Sequence, residues 1–453
     1  MCYTVVYSFD REGDYIMEHK LFARNPIGNP RRKWKQDNFL LRLSSPAARG
    51  LSPQSELTLR KTRRAVKTAI DAGFDLLGCG WAESHLAMEI VRTAERYGGR
   101  VLFSDFLRYS GQDRKTFSPT NDFEGAIRDT EKWNSVMGYL LWDEPIIQEH
   151  LEEVRRMLDH LESTRPHILP YVPLNPDYNK LCSWQENAYA PYIEKALSVI
   201  DPVQADFDYY PVGRLEYDPA LQLDNTTMWS DLEIVRRAAK KHEIPFWFTY
   251  QGQRFAFHKI HYIFRFPMVR AMAYAGVLYG VKGLGLYTAF GGYVDPTTGG
   301  KGVYFEEQKK LNEELHALGN TLMALESLRV IHDDSLLPDH PSMEGLRTPL
   351  EESELLDAEK PLGRRISISE HTDAYGHKYL MVLNRDYDSP QLVRLNFKTP
   401  SHVYEVSKED GEERFIFENA TLINLDFDPG DLRLFRIQPA EEEPYTVEYY
   451  LDK

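Results

Sequence analysis

From Phe39 onward, short apolar runs alternate with amphipathic stretches in a regular order. That alternation is the pattern of parallel strands joined by crossover helices. The strand candidates are residues 39–45, 74–81, 100–106, 137–143, 167–174, 205–211, 244–251 and 281–290, and a helix-like segment follows each. Three of these segments, 62–72, 151–162 and 231–241, place apolar residues at three- and four-residue steps between charged ones, so each has one face to bury. The eight units span about 290 residues, or roughly 36 each, which predicts an α/β fold of the (β/α)8 TIM-barrel type. Periodicity counts strands without showing closure, so a doubly wound open sheet is the alternative.

After Leu328 the pattern changes. Runs at 365–369, 379–384, 392–397, 414–417 and 432–437 alternate apolar and polar residues with no helical stretch between them. They predict a small C-terminal antiparallel β-sandwich over 328–440. Residues 38–327 are then the barrel, and 1–37 a lead-in packed on it. An acidic loop over 337–360 leads into the sandwich, and 441–453 reads as a charged tail.

The chain has 453 residues, 42% hydrophobic, 12% aromatic and 27% charged, which excludes intrinsic disorder and allows a large core. Its 54 basic and 69 acidic residues leave a net charge of -15, which repels phosphate backbones and anionic lipid. Nucleic acid and membrane surfaces are therefore not expected as partners. Cys2, Cys79 and Cys182 have no CxxC spacing, so buried thiols are expected rather than a disulfide framework or a thiolate zinc site. The most apolar run, 271–281, falls short of the ~18 residues of a membrane span. No basic and then apolar leader opens the sequence. A soluble, cytoplasmic protein is expected as the sequence stands, or a periplasmic or secreted one if a leader has been removed.

In a (β/α)8 barrel the chemistry collects at the C-terminal ends of the strands. Here those ends read Cys79-Gly80-Trp81-Ala82-Glu83, Ser104-Asp105-Phe106, Trp142-Asp143-Glu144-Pro145, Asp206-Phe207-Asp208-Tyr209-Tyr210-Pro211, Thr249-Tyr250-Gln251 and Tyr287-Thr288. Carboxylates flanked by Trp and Tyr suit a carbohydrate, because sugar rings offer C–H faces for stacking and hydroxyls that need fixed partners. The strongest signal is GYLLWDEP, 138–145, where an apolar strand runs into two adjacent acids. Strand alternation predicts that one of Asp143 and Glu144 reaches the substrate while the other braces a loop or caps the next helix. Trp81, Asp105, Trp142, Tyr210, Tyr250, Gln251 and Tyr287 are the further candidate binding residues.

Asp-Glu-Pro at the end of strand four resembles the Asn-Glu-Pro signature of the clan A glycoside hydrolases. With DYYP at 208–211 and the C-terminal sandwich, the chain resembles barrel glycosidases of the family 42 type over roughly 39–290. The resemblance implies that Glu144 is the acid/base and that Asp143 stands where the amide binds the sugar 2-hydroxyl. Clan A enzymes carry a Glu nucleophile at the end of strand seven, where this chain has Tyr250-Gln251. The second carboxylate is then sought elsewhere. Asp208 is the first choice, with Asp206 pointing the same way in an extended segment, and Asp105 is the next.

Other constellations carry less. His258 and His261 lack a third ligand, so no metal is expected. Gly283, Gly285 and the Gly291-Gly292 pair do not make a dinucleotide fingerprint and read as loop glycines, so no cofactor is expected. The leading reading is a glycoside hydrolase with Glu144 and Asp208 as its carboxylate pair. The shorter Asp side chain favours a gap wide enough for water, and hence inversion. A carbohydrate-binding protein without turnover, for which Gln251 argues, and another barrel enzyme acting on a polar metabolite are the alternatives.

Overall fold

The computed structural model describes residues 4–9, 15–22, 26–46, 55–80, 82, 84–105, 122–177, 189–211, 223–253, 265–333, 345–358 and 362–450. A hairpin of β1 (Thr4–Phe9) and β2 (Tyr15–Phe22) comes first. The barrel strands follow: β3 (Leu40–Ser44), β4 (Leu76–Gly78), β5 (Arg100–Phe103), β6 (Val136–Leu140), β7 (Leu169–Tyr171), β8 (Pro173–Leu174), β9 (Ala205–Tyr209), β10 (Phe246–Gln251) and β11 (Gly283–Tyr287). All pair in parallel, in the order β7-β6-β5-β4-β3-β11-β10-β9-β8. β7 and β8 are two halves of one strand interrupted at Val172. The first half pairs with β6 and the second with β9, and so the sheet closes. All eight expected strands are present, and the open-sheet alternative is excluded.

The outer layer is α1 (Glu56–Asp71), α2 (Ser84–Tyr97), α3 (Phe123–Thr130), α4 (Gln148–Thr164), α5 (Tyr189–Ile200), α6 (Met228–Lys241), α7 (Phe266–Leu278) and α8 (Phe305–Ala324). Alternate strand residues such as Leu41, Leu43, Phe207, Phe248 and Leu284 meet these helices in one continuous core. Inside the barrel a second apolar layer closes the N-terminal end, with Trp34, Leu40, Leu76, Leu102, Leu169 and Trp247 in contact. The indole N–H of Trp247 donates to Gln36 Oε1 at 2.9 Å. Gly283 and Gly285 are interior strand positions and not loop glycines. A Cβ on Gly283 would lie 2.7 Å from the Trp247 ring, and one on Gly285 would lie 2.5 Å from Arg42 Nη2.

The second unit is a six-stranded antiparallel sheet of β12 (Glu326–His332), β13 (Ile366–Thr372), β14 (Lys378–Asn384), β15 (Gln391–Val406), β16 (Glu413–Phe427) and β17 (Leu432–Pro439), in the order β12-β13-β14-β17-β15-β16. Register shifts midway along β15 and β16 let these long strands bend. Val393, Leu395, Ile423 and Leu425 then share a core with Ile368, Leu380 and Phe435, which is the sandwich the alternation predicts. α7 packs between β10 and the strands β14 and β17. Its near-uniform apolar sequence follows from burial on both sides. The segment read as a charged tail contributes β18 (Thr446–Tyr450), which pairs in parallel with β2. The lead-in and the C-terminal segment thus form one three-stranded sheet.

Candidate active site

Above the apolar plug, the barrel interior becomes polar. Arg42 on β3 crosses the barrel, its Nη1 donating to Ser44 Oγ and its Nη2 to Thr249 Oγ1, both at 2.6 Å. Its guanidinium lies 4.8 Å from the centre of the Tyr171 ring and 4.0 Å from Asp206 Oδ2. Tyr171 donates its hydroxyl to the same carboxylate oxygen, and Thr249 Oγ1 is 3.4 Å from it. Burial pushes the Asp206 carboxyl up to about 6 even though Arg42, Tyr171 and Thr249 each favour its charged form.

One layer higher, a cleft at the C-terminal end of the barrel is lined by Asp143, Glu144, Asp208, Tyr210 and Tyr287, with Arg42 and Thr249 in its floor. Asp208 follows Asp206 on the inward face of β9 and is buried. Its Oδ1 has no hydrogen-bond partner among the described residues. Burial first, and then the negative charges of Glu144 and Asp143, hold its carboxyl well above the usual range, while a hydrogen bond from Tyr210 pulls the other way. The Tyr210 and Tyr287 rings stack with centroids 4.9 Å apart, and both are half-buried at the cleft wall.

Asp143 and Glu144 lie beyond the end of β6, where strand alternation no longer applies, and both line the cleft. The expectation that only one of them reaches a substrate rested on an alternation that has ended before these two residues. Glu144 has a φ of 54°, a conformation that costs a residue with a side chain on the order of 1 kcal/mol. Its N–H donates to Pro173 O at 3.2 Å, which ties this turn to β8. Neither acid caps α4, whose N-cap is Ile147.

The remaining candidates separate by strand parity. Gln251 points inward and is buried, its Nε2 donating to Gln253 O at 2.8 Å. Tyr250 points outward into the helix-facing core against Phe248, and Trp142 is buried there with its ring 4.6 Å from that of His150. Neither ring lines the cleft, in contrast to their reading as binding residues. Asp105 is buried outside the cleft lining, with Oδ1 unpartnered among the described residues. Trp81, His258 and His261 lie outside the described residues. Cys79 is a buried free thiol, pushed up to about 12 by burial. Arg42 and Tyr171 are the site residues that sequence reasoning missed. The signal for Arg42 was a lone charge at inward parity between Leu40 and Ser44 in an otherwise apolar strand.

Among the described residues no group of three or more His, Cys, Asp or Glu side chains could hold a metal ion, and no helix is long and apolar enough to cross a membrane. No protein-family model matches the sequence, and no curated protein matches it. Solved structures resemble it to different degrees. A family 42 β-galactosidase from G. stearothermophilus, solved as a catalytic mutant, superposes with a TM-score of 0.56 at 9% identity, covering 90% of this chain and 99% of that one. An α-amylase from Anoxybacillus gives 0.46 at 10% identity, with 89% and 98% covered. An endo-β-1,4-mannanase from Thermotoga petrophila gives 0.38 at 12% identity, with 93% and 99% covered. The β-galactosidase superposition, over nearly the whole of both chains, shows that the two share a fold, here a (β/α)8 barrel followed by an antiparallel β-domain.

Proposed function

We propose that the protein is a glycoside hydrolase whose acid/base pair is Asp208 and Glu144. The observation that carries this reading is the buried carboxyl of Asp208, raised well above its ordinary range by burial and by the charges of Glu144 and Asp143, in one cleft with Glu144 at the end of the barrel where such folds place their chemistry. A carboxyl neutral near pH 7 can give its proton to the leaving glycosidic oxygen, and a less buried carboxylate nearby can receive one from water. On this reading Asp208 is the acid and Glu144 the base, the reverse of what the resemblance implies. Tyr210 and Tyr287 supply a stacked wall for a sugar face, and Asp143 an acceptor for its hydroxyls.

A gap wide enough for a water between the two carboxyls would give inversion and a narrow one retention, and the short Asp side chain favours the wider gap. Incubation with a panel of aryl glycosides, followed by proton NMR of the first-formed anomer on any substrate that is cleaved, tests both points. Release of phenol with the inverted anomer is expected. A retained anomer would replace the inverting scheme by a covalent one. Gln251 at the end of strand seven favours a second reading, binding without turnover, which calorimetric binding of a sugar together with no phenol release would establish.

A further inference from the structure

Arg385 follows β14 in the sandwich, yet its side chain is fully buried against the barrel. Its Nη1 lies 2.6 Å from Asp224 Oδ1, its Nη2 pairs with Asp333, and its guanidinium lies 5.8 Å from the Trp229 ring centre. Arg365, also from the sandwich, approaches the other oxygen of Asp224 at 3.8 Å. Asp224 belongs to the barrel, in a short 3-10 turn, Leu223–Asn225, between β9 and α6. Trp229 donates its indole N–H back to Leu223 O at 3.0 Å. Two residues after the turn, Thr227 Oγ1 lies 2.7 Å from the Tyr209 hydroxyl and donates to Asp177 O at 3.0 Å. Tyr209 is the last residue of β9, between Asp208 and Tyr210.

We propose that Arg385 is a positioning residue of the cleft: the sandwich clamps residues 223–227, and through Thr227 and Tyr209 it fixes the end of β9 that carries Asp208 and Tyr210. As a statement about catalysis this rests on the glycosidase reading; as a statement about β9 it does not. The clamp is a buried ion-pair cluster, and such clusters set one geometry at the cost of desolvating each member. A strand end released by even about 1 Å would misplace an acid enough to cost roughly 10²-fold in rate.

The test uses the full chain with Arg385→Lys, which keeps one charge but cannot serve two carboxylates, and Thr227→Val, which removes the hydroxyl that meets Tyr209 and Asp177 O and leaves the Arg385 ion pairs in place. Hydrogen exchange read on residues 205–211 is expected to quicken roughly tenfold in both variants, with β4 unchanged as the internal reference. Wild-type protection of 205–211 in either folded variant would overturn the clamp, and if Arg385→Lys does not fold, Thr227→Val decides alone. On a cleaved glycoside, kcat should fall with KM nearly unchanged and the acid limb of the pH profile should move. A lower Tm with an unmoved profile would reduce Arg385 to a structural role. Absence of any glycoside cleavage by the wild type would remove the enzyme reading and leave the exchange result standing.

Discussion

Asp206 and Asp208 share the inward face of β9, and the Arg42 guanidinium lies 4.0 Å from the deeper of the two. Two carboxyls one strand repeat apart therefore meet different surroundings. Asp206 has a cation and two hydroxyl donors, whereas Asp208 has Tyr210 and two further acids. That asymmetry separates a supporting carboxyl from the one we propose as the acid.

The deeper carboxyl has a consequence for stability. The Asp206 carboxyl titrates at about 6 in the fold and near 3.9 in an unfolded chain. The fold thus prefers the protonated form, and the corresponding stability is full below about pH 4 and lost as pH rises through about 6. The shift is worth on the order of 3 kcal/mol. Asp206→Asn, which keeps an acceptor for Tyr171, should gain on the wild type by that order between pH 4 and pH 7.5 in urea unfolding. Parallel pH slopes for the two proteins would show that Asp206 does not titrate in this way.

The proposed acid/base pair can be tested by substitution. Asp208→Asn and Glu144→Gln should each lower kcat by roughly 10²–10⁴ on a glycoside with a poor leaving group, with the fold intact. The loss in Asp208→Asn should shrink on an activated aryl glycoside, which needs little protonation, whereas the loss in Glu144→Gln should persist. Equal losses on both substrates for Asp208→Asn would return the acid role to Glu144.

A histidine in the sandwich links domain contact to pH. His371 on β13 is fully buried, with Nε2 bonded to Ser369 Oγ at 2.7 Å, and burial together with the charges of Lys282 and Arg236 pushes it down to about 3. The neutral ring is the folded form, so its contribution is present above about pH 6.5 and is lost as pH falls toward 3. The slope is roughly 1.4 kcal/mol per pH unit in that window. His371→Gln should flatten the acid limb of the stability curve. An unchanged limb would place the acid sensitivity elsewhere.

A chain ending at Leu325 should be poorly soluble, because it uncovers the sandwich-facing side of α7, whose Met272, Ala275 and Tyr274 are buried. It also loses the acceptor for Arg270, which donates to Pro429 O at 2.6 Å. Retention of the full-length Tm by the shorter chain would show two independent modules.

The barrel was legible because its signals are local. Period-two apolar runs and three- to four-residue helical steps located all eight strands and the helices α1, α4 and α6. α7 announced its double burial by carrying almost no polar face. Parity applied along β10 from Trp247 would also have separated inward Gln251 from outward Tyr250. What the sequence did not reveal depends on distant partners. Asp143 and Glu144 both face the cleft because the chain turns at Glu144 after β6 has ended. Arg385 meets Asp224 only once the sandwich has docked. The role of 446–450 was hidden because its hydrogen-bonding partner is β2.

That last pairing reaches from one end of the described chain to the other, with Thr446 opposite Glu18 and Tyr450 opposite Phe22. Closing so long a loop is entropically costly, and little is gained until the intervening barrel and sandwich have brought the ends together. During synthesis the hairpin of β1 and β2 emerges before the barrel, and its β2 edge lacks its partner until β18 arrives. An open strand edge is a template for pairing with the wrong chain. Folding of this protein is therefore exposed to concentration in a way that its large barrel core alone would not suggest. In pulse-labelled refolding, the amides of residues 446–450 should become protected after those of β3 and β11, and equal timing would show that the ends meet early.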